Sequence, residues 1–188
     1  MTKTNRDDAA NASVIGKART GIWGFFAMNT ESDAHTDEYD KEQGLKERLK
    51  ALFSSQRFAV LATQKDGQPS TNLVAFAATE DLSQLLFVTP RATRKFSNLA
   101  SDAHVAMMID NRQNLVSDLR DAMAVTATGV AEEVVGPEKE ALLGLYISKH
   151  PFLETFARAP SCALLKISVK MYDIAGAFQN VMELKMMP

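Results

Sequence analysis

The apolar positions change period several times along the chain, and each change predicts an element. From Asp40 onward, Leu45, Leu49, Leu52 and Phe53 recur on one stripe while Lys46, Glu47, Arg48 and Lys50 take the other face, the pattern of an amphipathic helix resting on a core. After Arg57 the run Phe58-Ala59-Val60-Leu61-Ala62-Thr63 reads as a strand. It stops at Lys65-Asp66-Gly67, and Asp-Gly is a strong hairpin signal because a tight two-residue turn needs positive φ at its centre. A second strand follows from about Ser70 to Ala78, a turn at Glu80-Asp81-Leu82-Ser83, and a third strand, Leu85-Leu86-Phe87-Val88-Thr89. Three strands joined by short turns make an antiparallel meander.

Pro90 lacks the ladder donor and ends the third strand. A short helix fits Thr93 to about Asp102, with Thr93 as N-cap and Phe96, Leu99 and Ala100 at helical spacing. Strands are expected at His104 to Ile109 and Met123 to Val135, then a helix from Gly136-Pro137-Glu138 through Tyr146, because proline suits a first helical turn. His150-Pro151 breaks that helix, and a short helical piece reaches Phe156. Ser161 to Tyr172 is a further strand, and a shorter one near Phe178 to Leu184 closes the series. The fold class is mainly β with flanking short helices (α+β). Count and spacing favour a six-stranded antiparallel barrel, although the same order also allows an open sheet.

Residues 1 to about 40 carry no sustained period and read as an extension, partly disordered or packed on the body, ahead of a domain spanning 41–188. Only the patch from Trp23 to Phe26 interrupts their polarity, as a segment that packs on the body or on a partner subunit. Nowhere is there a run of about 20 apolar residues, as a membrane helix needs, and polar residues occupy the place of a leader's apolar stretch. Cys162 is the single cysteine, which excludes an intrachain disulfide and fits a reducing compartment. The cytoplasm is the expected location. The net charge of −2 writes in no general affinity for nucleic acid or membrane, so anion binding must come from local clustering.

That cluster is Arg91, Arg94 and Lys95, with no acid from Leu82 until Asp102. If Thr93 caps a helix, Arg94 and Lys95 stand in its first turn, where unpaired N–H groups and the positive end of the dipole already favour an anion. Cations there oppose the helix's own field, and a bound phosphate would offset them; the alternative is a solvated basic patch. The three histidines, His35, His104 and His150, are not spaced as metal ligands, so no metal site is expected, and His150 suits the C-terminal end of a helix. Cys162 sits on the apolar side of a strand, as a buried structural residue.

The stretch Phe87-Val88-Thr89-Pro90-Arg91-Ala92-Thr93-Arg94-Lys95, with strands on either side, resembles the flavin-phosphate region of the pyridoxamine 5'-phosphate oxidase-like FMN-binding split barrels. In that family an aromatic or aliphatic residue and Thr end a strand, and Ser or Thr followed by Arg-Lys opens a short helix. The resemblance runs from about Leu45 to Leu184. Around Met108 to Arg112, Asp118 and Ala124 to Ala127 it is closest to an uncharacterised branch. It implies a six-stranded antiparallel split β-barrel, an FMN cofactor and a homodimer with the flavin at its interface. Arg94 and Lys95 would hold the phosphate, Thr93 and Thr89 would add hydroxyls, and Val88 would precede them. The strand from Ser70 would run beside the ring system, with backbone groups of Asn72, Leu73 and Val74 at its polar edge. Asn111 and Arg112 would reach the ribityl chain or phosphate, from the dimer mate. The implied function is an FMN-dependent oxidoreductase acting on a small molecule. The alternative is a flavin- or haem-binding protein for storage, delivery or sensing, and a deazaflavin could replace FMN.

The departures from the family pattern narrow this. The oxidase itself carries a glutamine at the position of Ala124 and an Arg-containing terminal segment, whereas this chain ends Glu183-Leu184-Lys185-Met186-Met187-Pro188, which argues against pyridoxamine phosphate as substrate. A haem-utilising branch adds a C-terminal histidine ligand, and no histidine follows His150 here.

Overall fold

The alternating segments after Arg57 fold into strands that close on one another. The computed structural model describes residues 27–176 and 180–186, with side chains from Tyr39 onward except that of Asn180. Backbone contacts divide the chain into two units, Met1–Asp40 and Lys41–Pro188. In the first unit the described residues, from Ala27, are helical; the Trp23 to Phe26 patch and the His35 side chain lie outside the described residues. Helix α1 runs Ala27–Ser55, so it starts well before the expected onset at Asp40. Neither proline nor glycine interrupts it before Gly44, but no apolar stripe precedes Leu45, and the stripe was the signal. In the second unit Leu49, Leu52 and Phe53 of α1 are buried in the core.

The barrel comprises β1 (Phe58–Lys65), β2 (Gln68–Ala78), β3 (Gln84–Pro90), β4 (His104–Asp110), β5 (Met123–Glu133) and β6 (Cys162–Gly176). Every pairing is antiparallel, and a β3–β6 ladder closes the ring β1-β2-β3-β6-β5-β4. The chain therefore folds as a closed six-stranded antiparallel barrel, mainly β, and the open-sheet alternative falls away. A seventh strand, β7 (Asn180–Lys185), lies outside the ring and pairs with β6. The Asp66-Gly67 turn has φ of 52° and 76°, as a tight hairpin demands.

β6 serves two partners in succession. Cys162 to Ser168 pair with β3, and Met171 to Gly176 pair with β7, while β5 follows nearly the whole length. At the changeover the β5–β6 register slips, with Thr128 opposite Met171 but Gly129 opposite Val169, so Lys170 is an extra residue. A bulge of this kind bends a strand and sharpens its twist. Gly129 makes the bend possible, since a Cβ there would stand 2.2 Å from the Ser168 carbonyl oxygen.

Inward residues, among them Leu61, Phe76, Phe87, Met107, Ile109, Val125, Ile167 and Tyr172, fill the barrel. Outward residues Ala77, Leu86, Val88 and Leu164 make a second apolar layer under α4 (Glu138–Lys149), which contributes Leu143 and Tyr146. Cys162 is buried in this outer layer. A 3₁₀ turn (Pro151–Leu153) and the short α5 (Glu154–Ala157) follow α4, as expected, whereas α3 (Asp118–Asp121) was not foreseen. Leu82 holds a left-handed φ of 64° although it is buried, and its carbonyl accepts a 2.7 Å bond from the Tyr172 hydroxyl.

His150 departs from its expected role. It caps α4, but its ring is buried and Nε2 bonds the Phe76 carbonyl at 2.8 Å, so it acts as a neutral core group rather than as a charge on the helix end. Burial lowers its pKa from the ordinary 6.5, against the raising effect of the Phe76 bond; repulsion from Lys149 and Arg57 adds to the lowering. The unfolded chain thus takes up this proton at a higher pH than the native protein does. Stability from this residue is complete above about pH 7 and is lost as pH falls through 6.5 and below. Urea midpoints measured from pH 7.5 to 5 should decline in the native protein, and much less in His150→Gln, whose amide can still donate to Phe76.

Candidate functional site

The site begins with helix α2 (Arg94–Ser101), which Thr93 starts as an N-cap by accepting from the Phe96 N–H. The helix is held against the barrel from below: Leu99 is buried, Phe96 packs on the core, and the Asn98 amide donates to the Thr63 hydroxyl at 3.0 Å in a buried bond. Its first turn is therefore fixed beside the end of β3. Thr89, the last full strand residue before Pro90, lies 3.0 Å from the Thr93 hydroxyl and accepts from Lys95 Nζ at 3.3 Å. Arg94 reaches across to β2 and donates to the Ser70 hydroxyl at 2.9 Å. Ser70, Thr89, Thr93, Arg94 and Lys95, each named from sequence, thus converge.

Arg91 does not join them. Its guanidinium makes two 2.5 Å bonds to the Glu133 carboxylate on β5, and Glu133 holds its charge the more firmly for this, with a lowered pKa, while that of Arg91 is raised. The absence of a nearby acid in sequence hid a partner 42 positions away. Among the described residues, Arg94 and Lys95 are the cations of the cluster without a carboxylate partner.

β2 explains why the site is a groove. One edge pairs with β1 from Gln68 to Ala75, but β3 covers the other edge only at Phe76, Ala77 and Ala78. Among the described residues, that second edge has no strand partner from Gln68 to Ala75, and it offers backbone donors and acceptors beside α2 and the end of β3. Asn72, on this stretch, carries a buried Nδ2 with no hydrogen-bond partner among the described residues. A buried amide donor left unmade is costly, and a ligand acceptor is one way to satisfy it. Leu73 turns outward and is largely exposed, whereas the Val74 side chain is buried in the barrel core, so only its backbone is available. Val88 is buried in the outer layer under α4, leaving its backbone as the part that could face a ligand.

An open groove of about 380 Å³ runs along this edge, lined by Lys65, Asp66, Gln68, Ser70, Arg94, Ser97 and Asn98. Sequence reasoning missed Lys65, Asp66, Gln68, Ser97 and Asn98 as lining residues. The hairpin residues beside Asp66-Gly67 gave a turn signal, and only the register of β1 and β2 places them over α2.

Asn111 and Arg112 fall elsewhere. The β1–β4 register sets Val60 opposite Met108, so they follow β4 near the start of β1, whereas Thr63 and Ser70 mark the other end. Asn111 Oδ1 accepts from the Met123 N–H at 2.8 Å, and Arg112 pairs with Asp110 at 3.2 Å. One chain alone does not bring this pair to Arg94. Among the described residues no three His, Cys, Asp or Glu side chains converge as metal ligands, and no helix is long and apolar enough to cross a membrane.

A closed six-stranded antiparallel barrel with a seventh strand outside it, and with two cations at a capped helix start, places the chain among the split barrels. The chain belongs to the pyridoxamine 5'-phosphate oxidase family, whose model matches residues 45–173. No curated protein matches the sequence. Among solved structures, a heme binding protein from Mycobacterium smegmatis is 18% identical with a TM-score of 0.65, over 71% of this chain and 55% of that one. General Stress Protein 26 from Bacillus anthracis is 19% identical with a TM-score of 0.60, over 76% of this chain and 98% of that one. A FAD-binding protein from Mesorhizobium loti is 16% identical with a TM-score of 0.55, over 68% and 89%. The chain spans little more than half the length of the first of these. At these identities the likeness is one of fold.

Proposed function

We propose that the protein binds FMN in the β2–α2 groove and works as a flavin-dependent oxidoreductase on a small molecule. The observation that carries this reading is the pair Arg94 and Lys95 in the first turn of α2, with the hydroxyls of Ser70, Thr89 and Thr93 around them. A phosphate there would gain charge-assisted bonds and relieve the clash between two cations and the positive end of the helix. The residues fit the rest of the group as well. The unpartnered edge of β2 suits the polar rim of a flavin ring, and the unsatisfied Asn72 amide supplies a donor. The flavin, when bound, supplies hydride or electron transfer, and the chain's residues bind it, orient it and shield one face.

The outer face of β1, β2 and β4 supports a homodimer. Leu73, Val60 and Met108 stand opposite one another in register, and Phe58 beside them is 57% exposed, leaving a band of apolar surface open to a second copy. Asn111 and Arg112 lie at the end of this band and would serve the partner's groove. The single cysteine supports a cytoplasmic setting.

Similarity in fold to a heme binding protein raises a second reading, binding without turnover. Of the histidines whose side chains are described, His104 is exposed and bonded to Asp102 and His150 is buried against Phe76, and neither lines the groove. The test is spectroscopic. Protein mixed with FMN and freed of excess should keep flavin absorbance, gain thermal stability, and be reduced by NADH or NADPH and reoxidised by an acceptor. Retention without reduction would leave a binding protein, and no retention would end the flavin reading.

A further inference from the structure

A second cavity, of about 220 Å³, lies between α1, the β2–β3 hairpin and α4, with walls from Phe53, Ala77, Leu82 and Leu145. Lys149 of α4 also lines it. Its Nζ donates to the Phe53 carbonyl at 2.7 Å, near the C-terminal end of α1, and stands 3.8 Å from the centre of the Phe76 ring. An ammonium group has three donors, so this carbonyl and one ring face leave it incompletely satisfied. No carboxylate comes within 4.0 Å of Nζ among the described residues.

The charged groups around it do not supply a counterion. Glu80, at the rim, is engaged by Lys50 at 2.5 Å, Arg57 is a second cation, and His150 is turned to Phe76. The partial charge of a helix end is weaker than a carboxylate. Charges drawn out of water are ordinarily paired, and this half-buried one has no carboxylate partner among the described residues. The cost shows in the amine: burial, with a contribution from Arg57, lowers its pKa to about 8. Leu82, in the cavity wall, carries the left-handed backbone already described, and strain of that kind gathers at ligand clamps.

We infer that this cavity is a binding site for a small carboxylate with an apolar body, separate from the β2–α2 groove, with the carboxylate on Lys149 Nζ and the body against Phe53, Leu82 and Leu145. Phe53, Ala77, Leu82 and Leu145 give it an apolar wall beside the polar Ser54, Thr79 and Ser148, and it is smaller than most small-molecule sites, so a single ring or a short branched chain fits and a nucleotide does not.

Benzoate is the probe, and benzamide, of the same shape without the charge, is its control. Titrated into the full chain at pH 7, benzoate should give saturable shifts by NMR or calorimetry and raise the melting temperature, whereas benzamide should bind at least about tenfold more weakly. Benzoate affinity should fall as pH rises through 8, because the neutral amine offers no charge. Leu145→Glu places a carboxylate one helical turn before Lys149, an orientation that stabilises helices, so this variant should fold and no longer respond to benzoate. Lys149→Met should lose the response as well. Equal binding of benzoate and benzamide, no saturable binding of benzoate at all, or an undiminished response in a folded Leu145→Glu protein would overturn the inference. FMN retention is read on the same samples. It should not change in Leu145→Glu, so the two sites stand or fall separately.

Discussion

Replacing Arg94 and Lys95 together by alanine should abolish FMN retention while leaving the barrel folded. Each residue would give a charge-assisted bond to a phosphate, worth roughly 1.5–3 kcal/mol apiece, so losing the pair should weaken binding by about two to four orders of magnitude. The fold does not depend on them: both lie at the helix start, their intramolecular bonds are to Ser70 and Thr89, and the hold of α2 on the barrel comes from Phe96, Asn98 and Leu99. Gel filtration and far-UV circular dichroism should match the parent, and the flavin absorbance after desalting should vanish. Arg91→Gln is the matched control. It removes a cation three residues away, but one that Glu133 already holds, so retention should persist. Unchanged flavin occupancy in the double variant would mean that the phosphate lies elsewhere.

The largest effect on stability should come from Gly129→Ala. The added methyl would meet the Ser168 carbonyl oxygen at 2.2 Å and Ile167 Cγ2 at 3.0 Å, and the first of these is backbone in the β5–β6 ladder, which cannot swing aside. Overpacking of this severity is expected to destabilise by about 3 kcal/mol or more. For a chain of this size that corresponds to a fall of roughly 6–12 °C in melting temperature. Gly144→Ala, within α4 and with nothing near its Cβ, should instead stabilise by about 0.5–1 kcal/mol from helix propensity. A chemical denaturation series on the two variants settles both signs at once.

What could be read from the chain ahead of its structure follows the range of the interactions concerned. The strands were legible because each alternates or runs apolar over its own length, and the first hairpin because Asp66-Gly67 states its turn chemistry locally. Thr93 as an N-cap was legible for the same reason, and with it the placement of Arg94 and Lys95. The closing ladder between β3 and β6 was not, since two apolar runs so far apart carry no mark of being neighbours. Nor was the bond that removes Arg91 from the cluster, because Glu133 sits in another strand. The early start of α1 escaped because that reach lacks an apolar stripe, and periodicity sees only helices that bury one. The open edge of β2 is the clearest case. It exists because β3 leaves β2 after three paired positions, a fact about how two strands pair rather than about any residue.

The double service of β6 bears on how the chain reaches its native state. The β3–β6 seam joins segments from opposite halves of the sequence, so it must close a long loop before any of its contacts forms, and seams of that kind are slow to assemble. The meander of β1, β2 and β3 and the hairpin of β6 and β7 are local and can form early, but Thr89 and Pro90, which adjoin the groove, are themselves part of the late seam. A ligand gripped by Thr89 and Arg94 therefore recognises only a chain whose ring has closed. Its capture would be a kinetic marker for the last step of folding, lagging behind the appearance of strand structure.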